Sequence, residues 1–421
     1  MWGRRYPLEY FQNFSVFIHS SQVMAKQLGV IFPVRRAPQF QSFEPRTTLL
    51  DAIRSSICHK NKLLLLVDGE LSLKLIEKIF FLNPELTIQS NSLSMRVISR
   101  RHKISSQPTC VKTLEEHSGM IFSVAFHQRF PFMVTGSVDK TAKLSLLSPD
   151  GLSATSVETL KGHRAAISCC AFHPIAPILA TGSFDGTVKL WKIGPDGSTA
   201  TCVATLLIHD AVWSVAFHPT APLLAIGDSN NTATLWRLSS DNSSANCVAT
   251  LKGHTYWVHS VAFHPTAPLL ATSSADKTAK LWLLTADNSS ANCVATLEGH
   301  SRSVESIAFH PTASILATGS GDKTTKLWKI GPDGSSATCV ATLEGHSNGV
   351  QSVAFHPTAP LLASGSWDKT AKLWRLSTDN SSATCVATLD GYSREVHSVA
   401  FHPTAPIVAT GSGDKTLKLW R

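Results

Sequence analysis

The sequence predicts an all-β protein, a closed ring of seven four-stranded antiparallel sheets behind a small, basic, partly helical N-terminal region. Three observations predict it. One text returns along the chain with a fixed stride: its marker position falls at His117, His163, His209, His254, His300, His346 and Tyr392, in steps of 46, 46, 45, 46, 46 and 46 residues. Within each copy, short alternating apolar runs are separated by Gly, Pro and Asp, the punctuation of strands rather than helices. The final copy stops one strand short, and a match for that strand stands in front of the first copy. A stride of about 40–50 residues with this texture belongs to small sheets arrayed as repeating units.

The sixth copy shows how each element arises. Gly349 to Phe355 alternates and carries β-branched and aromatic residues, so it is the first strand. His356-Pro357-Thr358-Ala359-Pro360 ends it, because proline has no backbone donor for a sheet ladder. Leu361 to Ser364 is the second strand, Gly365-Ser366-Trp367-Asp368-Lys369 a tight turn, and Thr370 to Trp374 the third strand. Beyond the polar loop Ser377 to Ala383, Cys385 to Leu389 is the fourth strand and opens the next copy. The seventh copy ends at Trp420-Arg421, after its third strand. Cys110-Val111-Lys112-Thr113-Leu114 matches the outer strands at Cys202, Cys247, Cys293, Cys339 and Cys385. It is therefore expected to complete the last sheet, which removes the open edges that template aggregation.

A Gly-His pair (Gly345-His346), an Asp in the following turn (Asp368) and a terminal Leu-Trp (Leu373-Trp374) make this text similar to the WD-repeat β-propeller family over residues 108–421. The resemblance implies a seven-bladed propeller serving as a non-enzymatic platform for protein or peptide partners. It also implies a hydrogen-bonded series of His, Ser/Thr, Asp and Trp in a blade. The matching sets are His163, Thr181, Asp185, Trp191; His254, Thr272, Asp276, Trp282; His300, Thr318, Asp322, Trp328; and His346, Ser364, Asp368, Trp374. Such a set resembles a hydrolase triad, yet one active site does not need four copies, so the series is read as structural and no catalytic residue is expected. Copy one has Ser145 for the Trp, copy seven Tyr392 for the His, and copy three Ile208, Ile226 and Asn230 for the Gly, Thr and Asp. Copy three is also one residue short, and is expected to be the least rigid blade.

Seven versions of one blade can be compared within the chain, and positions that vary freely among them are not needed for the blade itself. They gather between the Gly-His pair and the first strand, and just before the turn Asp. In WD propellers these positions look out around the channel mouth. The resemblance thus implies a partner-binding face of Phe122, Phe184, Trp213, Tyr256, Trp257, His259, Arg302, Glu305, Gln351, Trp367, Arg394, Glu395 and His397. Aromatic residues and Arg dominate binding hot spots. About half of these aromatics, Trp213 and Phe122 first, are expected to pack between blades. A second ring, His127, His173, His218, His264, His310, His356 and His402, lies before Pro or Gln in a turn with no carboxylate, and is read as turn chemistry rather than a metal site.

Charge separates the two parts of the chain. Residues 1–107 hold 15 Lys+Arg and 7 Asp+Glu, whereas residues 108–421 hold 23 and 22. The basicity belongs to the front, so the propeller is not expected to bind nucleic acid. No run approaches the roughly 18 apolar residues of a membrane helix. The start lacks the apolar core of a secretory signal, while the acid-free span from Tyr10 to Ser42 has the composition of a transit peptide. Six cysteines share one outer-strand position in different blades, too far apart for bridges that need Cα atoms within about 7 Å, and Cys169-Cys170 has no second pair at zinc spacing. Reduced thiols in an intracellular protein, cytoplasmic or nuclear, follow from this, and the sequons at Asn242, Asn288 and Asn380 are then incidental. No cofactor and no metal are expected, and the chain is expected to be monomeric by itself.

In the N-terminal region, Thr47 or Thr48 is placed to cap a helix over Leu49 to Ser56, and Asp68 a second over Gly69 to Leu82, ended by Pro84. Lys78 to Glu85 followed by Val97-Ile98-Ser99-Arg100-Arg101 partly resembles an F-box, although no Leu-Pro opens it. That resemblance implies docking to a ubiquitin-ligase adaptor and makes a substrate receptor the alternative function. RNA association through the basic region is a further alternative.

Overall fold

The computed structural model describes residues 107–421 and, ahead of them, only the strand residues 30–31, 64–65, 86–91 and 94–99. The chain divides into two units between Ser105 and Ser106. In the first, Leu86–Asn91 and Ser94–Ser99 form an antiparallel pair, extended by Leu64–Leu65 and then Val30–Ile31. The helices expected over residues 49–56 and 69–82 lie outside the described residues. Of the F-box-like stretch, Val97 to Ser99 is described, and it is strand.

The second unit is seven four-stranded antiparallel sheets, or blades, each in simple up-and-down order. Blade four contains Val258–Phe263, Leu269–Ser274, Ala279–Leu284 and Ala291–Leu297. Its second strand is buried along its whole length, whereas the outer strand alternates with solvent on most of its residues. This is why the second strands read as continuous runs of Leu, Ala, Thr and Ser, while the outer strands tolerate Asn, Cys and Thr.

Ring closure comes from the front strand. Cys110–Leu114 pairs antiparallel with Leu417–Trp420 as the outer strand of blade seven, and Thr109 and Arg421 exchange backbone hydrogen bonds of 2.9 and 3.0 Å. Seven apolar clusters hold the ring, one at each seam between neighbouring blades. At the seam of blades three and four, for example, Leu223, Ala225 and Leu235 pack with Val258, Leu270 and Trp282. Inner strands are also stitched directly: the Ser214 hydroxyl accepts the Val261 N–H, Ser306 that of Val353, and Ser398 that of Val124.

The loops between third and fourth strands explain the sequons. Asn242, Asn288 and Asn380 have φ of 57°, 54° and 56°, and the same position is Gly151, Gly197 and Gly334 in other blades, with φ of 70°, 72° and 72°. Asn and Gly alternate there because they tolerate the left-handed backbone that the turn requires.

Candidate partner-binding site at the channel mouth

One feature of the inner strand places the site. In every blade the register with the second strand slips between its first and third residues, as between Val212 and Ser214 or Val258 and Ser260. The bulged residue has no cross-strand partner. Around the ring it is Phe122, Ser168, Trp213, His259, Glu305, Gln351 and His397. The residue before each turn Asp joins the same end of the ring: Phe184 N–H donates to the Ala166 carbonyl, Ala275 to Trp257, and Trp367 to Gly349, all at 2.9–3.0 Å.

Most of the aromatic side chains form one ladder across five blades. His397 meets Phe122 edge-on at 4.9 Å, Phe122 lies 6.2 Å from Phe184, and Phe184 4.7 Å from Trp213. Trp213 then stacks on both His259, at 4.8 Å, and Trp257, at 5.7 Å, and Tyr256 adjoins Trp257. Phe122, Phe184 and Trp213 are half-buried within it, while Tyr256, Trp257 and Trp367 are 52%, 40% and 44% exposed. Trp367 stands apart, with no aromatic neighbour among the described residues. Three large exposed aromatics on one face are costly to leave in water and mark an interaction surface.

The polar members are equally specific. His259 Nδ1 lies 2.6 Å from Glu305 Oε2, and the Ser303 hydroxyl donates to the other carboxylate oxygen. Burial alone would raise the Glu305 pKa, but the hydrogen bond and charge of His259 outweigh it and hold the carboxylate ionised. Burial lowers the pKa of His397. Exposed Arg394 and half-buried Glu395 form a pair at 3.5 Å near the surface, worth little by itself, and Arg302 is exposed. Gln351 lies on the bulge of blade six with its Nε2 buried and unpaired.

The recurrent His, Ser/Thr, Asp and Trp residues are joined in hydrogen-bonded series. In blade four His254 Nδ1 is 2.8 Å from Asp276, His254 Nε2 is 2.7 Å from Thr272, and the Trp282 indole N–H donates to the Thr272 hydroxyl at 2.9 Å. The same bonds link His163, Thr181, Asp185 and Trp191, then His300, Thr318, Asp322 and Trp328, then His346, Ser364, Asp368 and Trp374. In blade one the series stops at Thr135, since Ser145 replaces the indole. Burial would raise the pKa of Asp322, but hydrogen bonds from Thr324 and His300 bring it down to about 2. In blade seven Tyr392 hydroxyl bonds Thr410 and accepts from Trp420, leaving Asp414 to the Ser393 N–H.

Blade three uses a different set. His209 is exposed in left-handed backbone, φ 74°, and buried Ile226 leaves it no hydroxyl to meet. Asp228 instead accepts from Asn230 N–H, Thr232 N–H and the Thr232 hydroxyl, and the Trp236 indole donates to Thr234 on its own strand. Asp228 and Thr234 escaped the sequence reading. Their signal was present: they replace a Ser and a Lys that recur in the other blades.

On the opposite turns, each histidine of the second ring is engaged by protein. His264 Nδ1 accepts the N–H groups of Thr266 and Ala267, and its ring meets Phe309 of the next blade at 4.9 Å. His173, His218, His310, His356 and His402 repeat this, and His127 does so with Arg129 and Phe130.

Seven segments, 108–144, 154–192, 200–237, 245–282, 291–329, 337–375 and 383–421, each match the family model described as WD domain, G-beta repeat, and together they span more than half of the chain. No curated protein matches the chain.

Proposed function

The chain belongs to the WD40 family of G-beta repeats, and from that premise we propose that it is a non-enzymatic scaffold that docks proteins or peptides on the aromatic face at its channel mouth. The observation that carries this is the exposure of Tyr256, Trp257 and Trp367 beside a ladder of half-buried rings. Such residues supply large, rigid contact area, and Arg302 and Arg394 supply the other favoured hot-spot type. Against catalysis stands the repetition of each potentially reactive His-Asp pair, whose atoms are committed to binding strand to strand. The eight described cysteines are all free, which supports action in a reducing compartment, cytoplasmic or nuclear. Among the described residues no helix is long and apolar enough to cross a membrane.

The test is an affinity pull-down from the source cell with wild type and Trp257→Ala/Trp367→Ala, both verified as folded. Recovery of a partner by wild type and its loss by the double variant is the expected result. If partners persist in the double variant but vanish on deleting residues 1–107, recognition moves to the N-terminal region. Binding to a ligase adaptor would then favour a substrate receptor, and salt-sensitive retention an RNA-associated one.

A further inference from the structure

The described residues contain six buried side-chain polar atoms without a hydrogen-bond partner from the protein, and four of them share one place: Trp213 Nε1, His259 Nε2, Gln351 Nε2 and His397 Nε2. All four residues occupy the bulge position of the inner strand. Buried polar groups are rarely left unpaired, and four in one ring need a common explanation. Two of the four are fixed in role: an indole N–H and an amide NH2 only donate. His397 Nε2 donates in one of its neutral tautomers, and His259 Nε2, opposite the Nδ1 that faces Glu305, donates when the ring carries both protons. A group that satisfies Trp213 and Gln351 must accept hydrogen bonds, and in those states it can take the two histidines as well.

Two further observations narrow the acceptor. Glu305, the carboxylate in the ring, is already engaged by His259 Nδ1 and the Ser303 hydroxyl, so it is not the acceptor these groups lack. Lysines recur on this face: Lys140, Lys277, Lys323, Lys369 and Lys415 are exposed at equivalent turns, joined by exposed Arg302, while Arg394 is paired with Glu395. Each of these lysines has positive φ, between 68° and 76°, a backbone state that disfavours a side chain. A strained position kept as lysine in five blades is consistent with use on this surface.

Resting on the platform reading above, we propose that the channel mouth receives an acidic side chain of the partner peptide, its carboxylate taken by Trp213, His259, Gln351 and His397. The peptide's neighbouring apolar residue lies on Trp257 or Trp367. Hydrogen bonds from donors around the channel mouth favour a carboxylate over its neutral amide, because bonds to an ionised acceptor are the stronger ones.

The experiment selects a random displayed peptide library on the full chain, then measures binding of the enriched peptides by fluorescence anisotropy. Asp or Glu beside an aromatic or aliphatic residue is the expected motif, and converting that acid to its amide is expected to weaken binding about tenfold or more. Gln351→Leu and His397→Phe, which keep bulk and remove the donors, are expected to erase most of the acid-to-amide difference. Enriched peptides without an acid, or with an amide that binds equally, overturn the proposal and leave the platform standing. An acid preference unchanged in both folded variants places the acid elsewhere and also overturns it. No enriched peptide at all defeats the platform reading with it. Should the variants fail to fold, the acid-to-amide comparison on the unaltered chain still decides.

Discussion

Blades three and four are neighbours with nearly the same text, yet they are held differently. In blade four one hydroxyl, Thr272, sits between the His254 ring and the Trp282 indole, and Asp276 closes the series onto the backbone of Thr255. In blade three the corresponding residue is Ile226, the histidine leaves, and two short-range substitutes appear, Asp228 at the end of the second strand and Thr234 under the indole. Both blades bury the same apolar seam between them. Burial thus supplies the common framework, while the polar series decides how firmly a blade's strands are tied to the loop that enters it.

Opening the ring tests what the two blades share. Deleting residues 110–114 strips the outer strand from blade seven and exposes an edge at Leu417–Trp420. Association into larger species than the unaltered chain forms, read by size-exclusion chromatography, is the expected outcome, because an unpaired edge recruits other chains. A monomer with unchanged melting would show that the blades stand without closure.

Breaking the series separates the blades from each other. Thr272→Val leaves two buried groups, His254 Nε2 and the Trp282 N–H, without their partner, an expected loss of about 3 kcal/mol. Thr234→Val removes one bond from a half-buried indole and is expected to cost about 1 kcal/mol or less. Hydrogen exchange read blade by blade gives the comparison, and equal losses would mean that the long-range series adds nothing.

Acid sharpens the same contrast. The folded-state pKa of Asp276 lies below its ordinary 3.8, and those of Asp139 and Asp322 are near 2, so the stability they contribute is present above pH 4 and lost as pH falls toward 2. Burial raises Asp228 instead, so its charged form costs stability at neutral pH and acidification relieves that cost. Asp276→Asn is therefore expected to destabilise by about 2 kcal/mol at pH 7, with the deficit shrinking toward pH 2. Asp228→Asn is expected to change stability by less than about 1 kcal/mol, in the favourable direction at pH 7. Thermal midpoints across pH for both variants are the measurement, and deficits with the same sign and slope would erase the distinction.

How much of this was legible follows from where each constraint lies. The period, the strand edges at Pro357 and Asp368, and the closing strand at Cys110 were readable, because each repeats in the text or completes something that does. The regular series was readable for the same reason. Asp228 and Thr234 were visible only as departures from a recurring Ser and Lys, and their roles were not legible, since each works only once and beside Ile226 and Asn230. The bulge ring was visible as a set of variable positions, but not as a ring of unpaired nitrogens. That property depends on stacking such as Trp213 on His259, which joins different blades. The helices expected over residues 49–56 and 69–82 fall outside the described residues.

The smallest expected effect concerns the turn between second and third strands, where blade four has Lys277 at φ 75° and blade three Asn231 at φ 64°. A left-handed conformation costs an ordinary side chain about 1–2 kcal/mol, while glycine loses about 0.5–1 kcal/mol more chain entropy on folding. Lys277→Gly is therefore expected to stabilise by about 0.5 kcal/mol. Asn231→Gly is expected to change little, since Asn tolerates this region through local hydrogen bonding. Denaturant midpoints of the two variants test the difference. If Lys277→Gly brings no gain, the lysine carries no strain, and its retention at this turn would no longer need the exposed face to account for it.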